Sequence, residues 1–559
     1  MSRKVVALSL GCLVAVGFIA TKDRLLRAWH LHKIPRIILV SFDTLNLRFA
    51  GPYSDYAEDL TPILDSFAAA GTLFEHAYTR VPITLPAHAS LFSGTQPADL
   101  GVMINGDHVN DSVTLLAEVL KEAGYRTGAF VSLGVLRREY NLAQGFDHYD
   151  DSFKGGVKRW YRRADEIYEA ASQWISAQGD HPFFAWIHLS DPHEPYQAIG
   201  ASVDAQLELD GATVGQWNLT SRERHDVVVE IPPGEHELAW RSLRKPRPED
   251  LGKTSLAVRY LNPEQLASLA IDQEIDLSRE FKIKNGWRMR LNNLETKPIQ
   301  LRLDFDGGIR EPPMSEIVEQ YRLEVTYADH YLGELRTLLS ERNLNDKTMW
   351  ILVSDHGEGL RFHGVIGHTT FNYEDQLRVL WMMQGPGIPA GQRLGQSPAL
   401  LEDVMPTLLD LVGIKNPEGM TGVSQAQCIK GNDCPERGIW WTYGASNQRD
   451  KISAVTGFQW PYKLIWHERR RHGFFNLIDD PHEEVNLAKK FKRKRSVRPP
   501  EYGSLGAYVR QQREILESRM RNRNSLQLAP DQRKMLESLG YLGDLGDDGS
   551  VVEREANPQ

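Results

Sequence analysis

Thr84 is the residue from which a chemistry can be read. It stands in Val81-Pro82-Ile83-Thr84-Leu85-Pro86-Ala87-His88-Ala89-Ser90-Leu91-Phe92-Ser93-Gly94, a proline-containing turn that opens a helix of small residues. A helix start presents backbone N–H groups and a favourable dipole to an anion, so a phosphate or sulfate ester would be held against the Thr84 oxygen. Groups able to activate that oxygen follow three apolar runs. Val40-Ser41-Phe42 leads to Asp43-Thr44; Pro182 to Leu189 leads to Asp191-Pro192-His193; Ile351-Leu352-Val353-Ser354 leads to Asp355-His356-Gly357-Glu358-Gly359, with His363 and His368 soon after. One Asp–His pair beyond a strand is commonly a cap beside a surface histidine, but three such clusters point to metal. Asp43, Asp191, His193, Asp355, His356 and His368 form a mixed carboxylate and imidazole set that suits zinc or manganese better than calcium.

Such residues need a scaffold that delivers strand ends to one edge. Apolar runs at Arg36 to Phe42, Gly128 to Ser132, Pro182 to Leu189, Thr348 to Ser354 and Val379 to Met383 read as buried strands. Between them, Ile63 to Ala70, Ser112 to Ala123, Arg163 to Ala177 and Ile317 to Ser340 have helical spacing. The alternation predicts an α/β protein with a mostly parallel sheet sandwiched by helices, in which ligands bind beyond the carboxyl ends of the strands. From Ala201 the pattern changes to short alternating segments with turn signals, which predicts an inserted β-sandwich. Beyond Gly413 a small α+β subdomain is expected. The resulting division is 1–30 signal anchor or signal peptide, 34–200 and 313–412 catalytic α/β, 201–312 insertion, 413–490 C-terminal subdomain and 491–559 basic linker with a polar helical tail.

The 559 residues carry a net charge of -9, which argues against a nucleic-acid binder, since that function needs a basic face. Val5 to Ala20 is an apolar run behind Arg3 and Lys4, and predicts an exported, membrane-anchored protein with its catalytic domain outside the cytoplasm. Cys428 and Cys434 flank a polar loop and are either a local disulfide or two unpaired thiols.

With these residues in hand, the chain resembles the sulfatase-like branch of the alkaline phosphatase superfamily. Ser354-Asp355-His356-Gly357-Glu358-Gly359 with Gly367-His368 is a specific match. The likeness covers about Ile34 to Gly413 outside the insertion and resumes at Phe475 to Pro481, Glu484 and Asn486-Leu487; Leu536 to Leu542 is similar to the tail of bacterial members. Sulfatases make their formylglycine nucleophile from Cys or Ser in C/S-x-P-x-R, whereas this chain has Thr84-Leu85-Pro86-Ala87-His88. Oxidation of threonine would give a ketone, which hydrates poorly. Thr44 also replaces the second Asp of the sulfatase calcium site, and His356 stands where Asn is usual. The site therefore resembles that of two-zinc threonine phosphodiesterases with the motif T-F-P-N-H.

That resemblance implies one metal held by Asp43, Asp355, His356 and the Thr84 oxygen, and a second held by Asp191, His193 and His368. It implies Asn105 as a donor to a non-bridging phosphate oxygen. His88, His188 and His363 are weaker candidates, for contact with substrate or with the ligands themselves, beside the plainer reading of satisfied core or loop histidines. The expected activity is cleavage of an anionic ester, a phosphate diester through Thr84. Alternatives are sulfate-ester hydrolysis with calcium, transfer of a phospho-headgroup to an envelope glycan, and a silent scaffold whose insertion binds a glycan or protein.

Overall fold

The computed structural model describes residues 34–57, 59–153, 161–193, 203–219, 224–242, 255–260, 269–271, 281–284, 288–306, 314–365, 367–446, 451–470, 472–493 and 498–526. The apolar run at Val5 to Ala20 and the Leu536 to Leu542 segment lie outside them. Among the described residues no helix is long and apolar enough to cross a membrane. The chain divides into two compact units, 1–194 with 325–559, and Pro195–Glu324.

The larger unit is built on an eight-stranded sheet. Its central strand, Arg36–Phe42, lies parallel between Thr348–Ser354 and Phe183–Leu189, and all seven residues of each are buried. A strand buried on both faces needs a continuous apolar run rather than alternation, and RIILVSF, FFAWIHL and TMWILVS meet that need. Phe42 pairs with both Leu189 and Ser354, so the three strands end level. The ladder runs one residue further: Asp43 N–H donates to Leu189 O at 2.8 Å and Asp355 N–H to Phe42 O at 3.2 Å. Both acids are therefore fixed by the sheet itself.

Arg126–Phe130 and His148–Asp150 extend the parallel side beyond Phe183–Leu189. On the other side Trp381–Gln384 runs antiparallel to Thr348–Ser354, followed by Thr72–Phe74 and Gln392–Leu394. The run read as one strand over Val379 to Met383 is broken at Leu380, because Arg378–Val379 pairs instead with Ala77–Tyr78 in a small second sheet. The helix expected at Ser112 to Ala123 is shortened to Leu116–Glu122. Glu118 Oε2 accepts Leu115 N–H at 2.8 Å and closes its first turn there, while Asn110 Oδ1 holds Ser112 in a separate turn.

Four antiparallel strands, Trp440–Ser446, Lys451–Gln459, Tyr462–His467 and Gly473–Asn476, form the C-terminal sheet, on which the helix Pro500–Arg521 packs. Cys428 and Cys434 are joined by a disulfide. The second unit contains two antiparallel sheets, of five and four strands, with Leu207, Leu238, Met289 and Leu291 buried from one and Val229, Ile231, Ile299 and Leu301 from the other. Buried Asn293 donates from the end of one sheet to Ile231 O at the end of the other at 2.9 Å and links the two.

Trp186, fully buried on Phe183–Leu189, ties the sheet to the helix Thr84–Ser93. Its ring lies 4.6 Å from Phe92 and its Nε1 donates to Ser41 Oγ at 2.9 Å. Trp186→Ala removes that packing and should cost about 3–5 kcal/mol in denaturant unfolding, with Trp186→Phe costing clearly less.

Candidate active site

Three strand ends and one helix start converge. Asp43, Asp355 and His356 are fully buried, and one ligand atom from each lies within 4.8 Å of the others. His356 Nε2 is 3.4 Å from Asp355 Oδ2 and 3.9 Å from Asp43 Oδ1. Thr84 is the first residue of the helix Thr84–Ser93 and is also fully buried, with Oγ1 3.4 Å from the same His356 nitrogen. After Asp43, Thr44 turns the chain aside with a left-handed backbone, φ 57°, and its N–H donates to Asp355 Oδ1 at 3.2 Å.

Neither oxygen of Asp43 receives a hydrogen bond, nor does Oδ2 of Asp355 or of Asp191, although all are buried. Burial opposes ionisation of Asp43, but the neighbouring His188, His193 and His356 outweigh it and hold its carboxyl below the usual range. Burial pushes Asp355 well above that range, and the Asp43 charge adds to it. Burial and then His368 push His356 far down, toward neutral imidazole. Two carboxylates that resist sharing a negative charge, beside a neutral imidazole and a hydroxyl, form a donor set for a divalent cation, which would satisfy the bare oxygens. The three residues fit a divalent metal ion.

His193 and His368 stand next to this triad, their rings 5.2 Å apart, with His368 4.6 Å from His356. Together with Asp191 they do not form a second triple at the spacing of the first. Asp191 Oδ1 accepts Ala164 N–H at 3.1 Å and caps the helix Ala164–Ala177, so half of that carboxylate is committed to structure. Burial pushes Asp191 up to about 7. His368 takes its orientation from Glu358, whose Oε2 lies 3.2 Å from Nδ1, a carboxylate partner of the kind that fixes a metal-binding imidazole. Glu358 was legible in the Asp355-His356-Gly357-Glu358-Gly359 motif, but its partner was not.

The other three histidines have the following protein partners. His88 is fully buried, with Nδ1 on Thr84 O at 2.8 Å and Nε2 on Ser41 Oγ at 3.0 Å, so both nitrogens are used. Burial, then His188, lower it to about 3. His188 is buried behind Asp43, Nε2 to Oδ2 3.4 Å, with Ser132 Oγ 2.6 Å from Nδ1. These two histidines back the two metal-site acids. His363 lies 3.1 Å from Asp375 and stacks on Tyr373, outside the triad. Asn105, in the loop before Gly106, accepts Leu85 N–H on Oδ1 at 2.9 Å; that bond assigns its amide, and leaves the buried Nδ2 without a partner. The expected N–H cradle at the helix start is correspondingly thin: Leu85 N–H is taken and Pro86 has none. An anion there would depend on Asn105 Nδ2 and on metal.

The family model described as Sulfatase matches residues 35–414, which is more than half of the chain. The chain belongs to the sulfatase family. A second family model, N-sulphoglucosamine sulphohydrolase, C-terminal, matches residues 363–498 of this sulfatase-family hydrolase. The choline-sulfatase of Rhizobium meliloti (strain 1021) is 25% identical over 81% of the chain and 82% of its own length. Among solved structures, a sulfatase from Bacteroides thetaiotaomicron VPI-5482 superposes with TM-score 0.58 at 18% identity, covering 90% of this chain and 96% of the other. The phosphonate monoester hydrolase of Agrobacterium radiobacter superposes with TM-score 0.54 at 16% identity, covering 93% and 100%. These structures share the alkaline-phosphatase-like fold. The sulfatase family is metal-dependent, and Asp43, Asp355 and His356 are the residues that would hold metal in this member.

Two outcomes are expected. Zinc or manganese added to metal-stripped protein should raise Tm, because a ligand of the native state alone stabilises it, and Asp43→Asn should abolish that rise in a thermal melt. Glu358→Gln should weaken metal binding about 10-fold in a competition titration, since it discharges the partner of His368.

Proposed function

We propose that this sulfatase-family hydrolase cleaves phosphate esters, diesters in particular, with Thr84 as nucleophile. The observation that carries this reading is Thr84 Oγ1 beside the Asp43–Asp355–His356 triad, 3.4 Å from His356 Nε2, at the position of the formylglycine precursor. A threonine there keeps its hydroxyl as the reactive group. A divalent ion, zinc or manganese, would supply Lewis acidity that lowers the hydroxyl pKa and neutralises the ester oxygens.

Thr84 Oγ1 attacks phosphorus and loses its proton; the bond to the leaving oxygen breaks on the opposite side, and that oxygen takes up a proton. Asn105 Nδ2, with its partner Oδ1 locked on Leu85 N–H, donates to a non-bridging oxygen. Asp43 and Asp355, at the ends of adjoining strands, would hold the divalent ion, and His193 and His368 stand next to these acids and His356. Water then attacks the phosphothreonine, the Thr84 Oγ1–P bond breaks, and the hydroxyl regains a proton. Export with an N-terminal membrane tether belongs to the same proposal, supported by the apolar run at Val5 to Ala20 and by the Cys428–Cys434 disulfide, a bond suited to an oxidising compartment.

A second reading, sulfate-ester hydrolysis, is supported by the relatives, which include a choline-sulfatase. The two separate on parallel turnover of bis-aryl phosphate, aryl phosphate and aryl sulfate. Thr84→Ala should lower diester turnover by at least about 10³-fold, with metal content retained. Sulfate turnover far above phosphate turnover would establish the second reading instead, and a fully active Thr84→Ala would end the covalent mechanism.

A further inference from the structure

The catalytic loop that carries Asn105 is closed by a segment more than 400 residues away. After the helix Pro500–Arg521 the chain lies along 100–108. Asn524 N–H donates to Gly101 O at 2.8 Å, and Asn524 Nδ2 to Leu100 O at 2.9 Å. His108 donates twice to Asn524 O, from its backbone N–H and from Nδ1, each at 3.0 Å. Asp107 bridges to Ser525, and Leu526 N–H donates to Gly106 O at 3.3 Å. Arg523 Nε donates to Asp107 Oδ1 at 3.0 Å, while Asp107 Oδ2 accepts the N–H groups of Met103 and Ile104 at 2.8 and 3.1 Å. Burial pushes Asp107 up to about 6, against the pull of these donors.

Every residue from Gly101 to Asp107 except Val102 and Asn105 thus has a named bond to the strap, to Asp107 or, at Met103 O, to Tyr443 Oη. Asn105 uses its side chain to reach Leu85 N–H, the amide next to Thr84. Two hydrogen bonds therefore connect Arg523 to the helix start, through Asp107 and the loop it organises. Gly106, φ 95°, takes the left-handed turn that lets Asn105 face one way and Asp107 the other.

We propose that Arg523–Leu526 is a positioning strap: it sets Asn105, and through Asn105 the amide beside the nucleophile, so that Nδ2 is delivered to the substrate oxygen. The inference rests on the donor role of Asn105 proposed above. The role assigned to Arg523 and Asn524 is exerted through the loop, not by contact with substrate.

The test pairs hydrogen exchange with a double-mutant cycle on the full chain. Arg523→Ala, with Asn524→Ala as an independent variant, should speed amide exchange at 101–107 and at Leu85 while global Tm and metal content stay near wild type. Turnover of bis-aryl phosphate should fall about 10-fold in either variant. In an Asn105→Ala background, itself down about 100-fold, the same strap substitutions should cost less than 2-fold, because the effect runs through a side chain already removed. Arg523→Lys should recover most of the loss. Unchanged exchange in the loop, unchanged turnover, or equal losses with and without Asn105 would each overturn the strap. Wild-type turnover in Asn105→Ala would overturn the donor role and the strap's catalytic part with it.

Discussion

Asp43 and Asp355 are buried side by side, and that like-charge pair is the constraint on which the site depends. Water cannot solvate either, and the chain supplies no lysine or arginine among the described residues as their ion-pair partner. The structure manages them by dividing the burden: Asp43 keeps its charge among three histidines, and Asp355 is driven toward its neutral form. Such a pair is costly in an apolar interior unless a cation completes it. The sheet holds the two acids together regardless, because each is the next residue on a parallel ladder.

The surroundings make sense as layers behind that pair. His188 and His88 stand behind Asp43 and the Thr84 turn, braced by Ser132, Ser41 and Trp186. Glu358 orients His368. None of these groups needs contact with substrate to matter, since a metal-site carboxylate that swings by an ångström loses its ion.

Much of this was legible in the sequence. Arg36–Phe42 and Thr348–Ser354 were read residue for residue, because strands buried on both faces are unbroken apolar runs with turn signals at their ends. Asp43, Asp355 and His356 were legible as three of six candidate ligands because they stand just past such runs, while their grouping came from the family resemblance; the structure brings the three together. Thr72–Phe74, His148–Asp150 and Gln392–Leu394 were not readable, as three residues carry no period. The roles of His88 and His188 were hidden for another reason: residue type does not tell whether an imidazole lies in front of a carboxylate or behind it. Asp191 was recognisable as an acid beyond a strand, while its commitment to Ala164 N–H depends on where the preceding helix, Ala164–Ala177, begins.

The central pairing also governs when this enzyme can exist. Arg36–Phe42 lies early in the sequence, yet one of its two strand partners is Thr348–Ser354, and Thr44 N–H meets Asp355 across 311 residues. Contacts of such separation form late, after a large loop has been closed. A growing chain therefore carries Asp43 and Thr84 for most of its synthesis without the residues that would make them a metal site. Asp355 and His356 join them only when nearly two-thirds of the polypeptide is present. Whatever compartment the chain folds in is then also the compartment that decides which metal it takes.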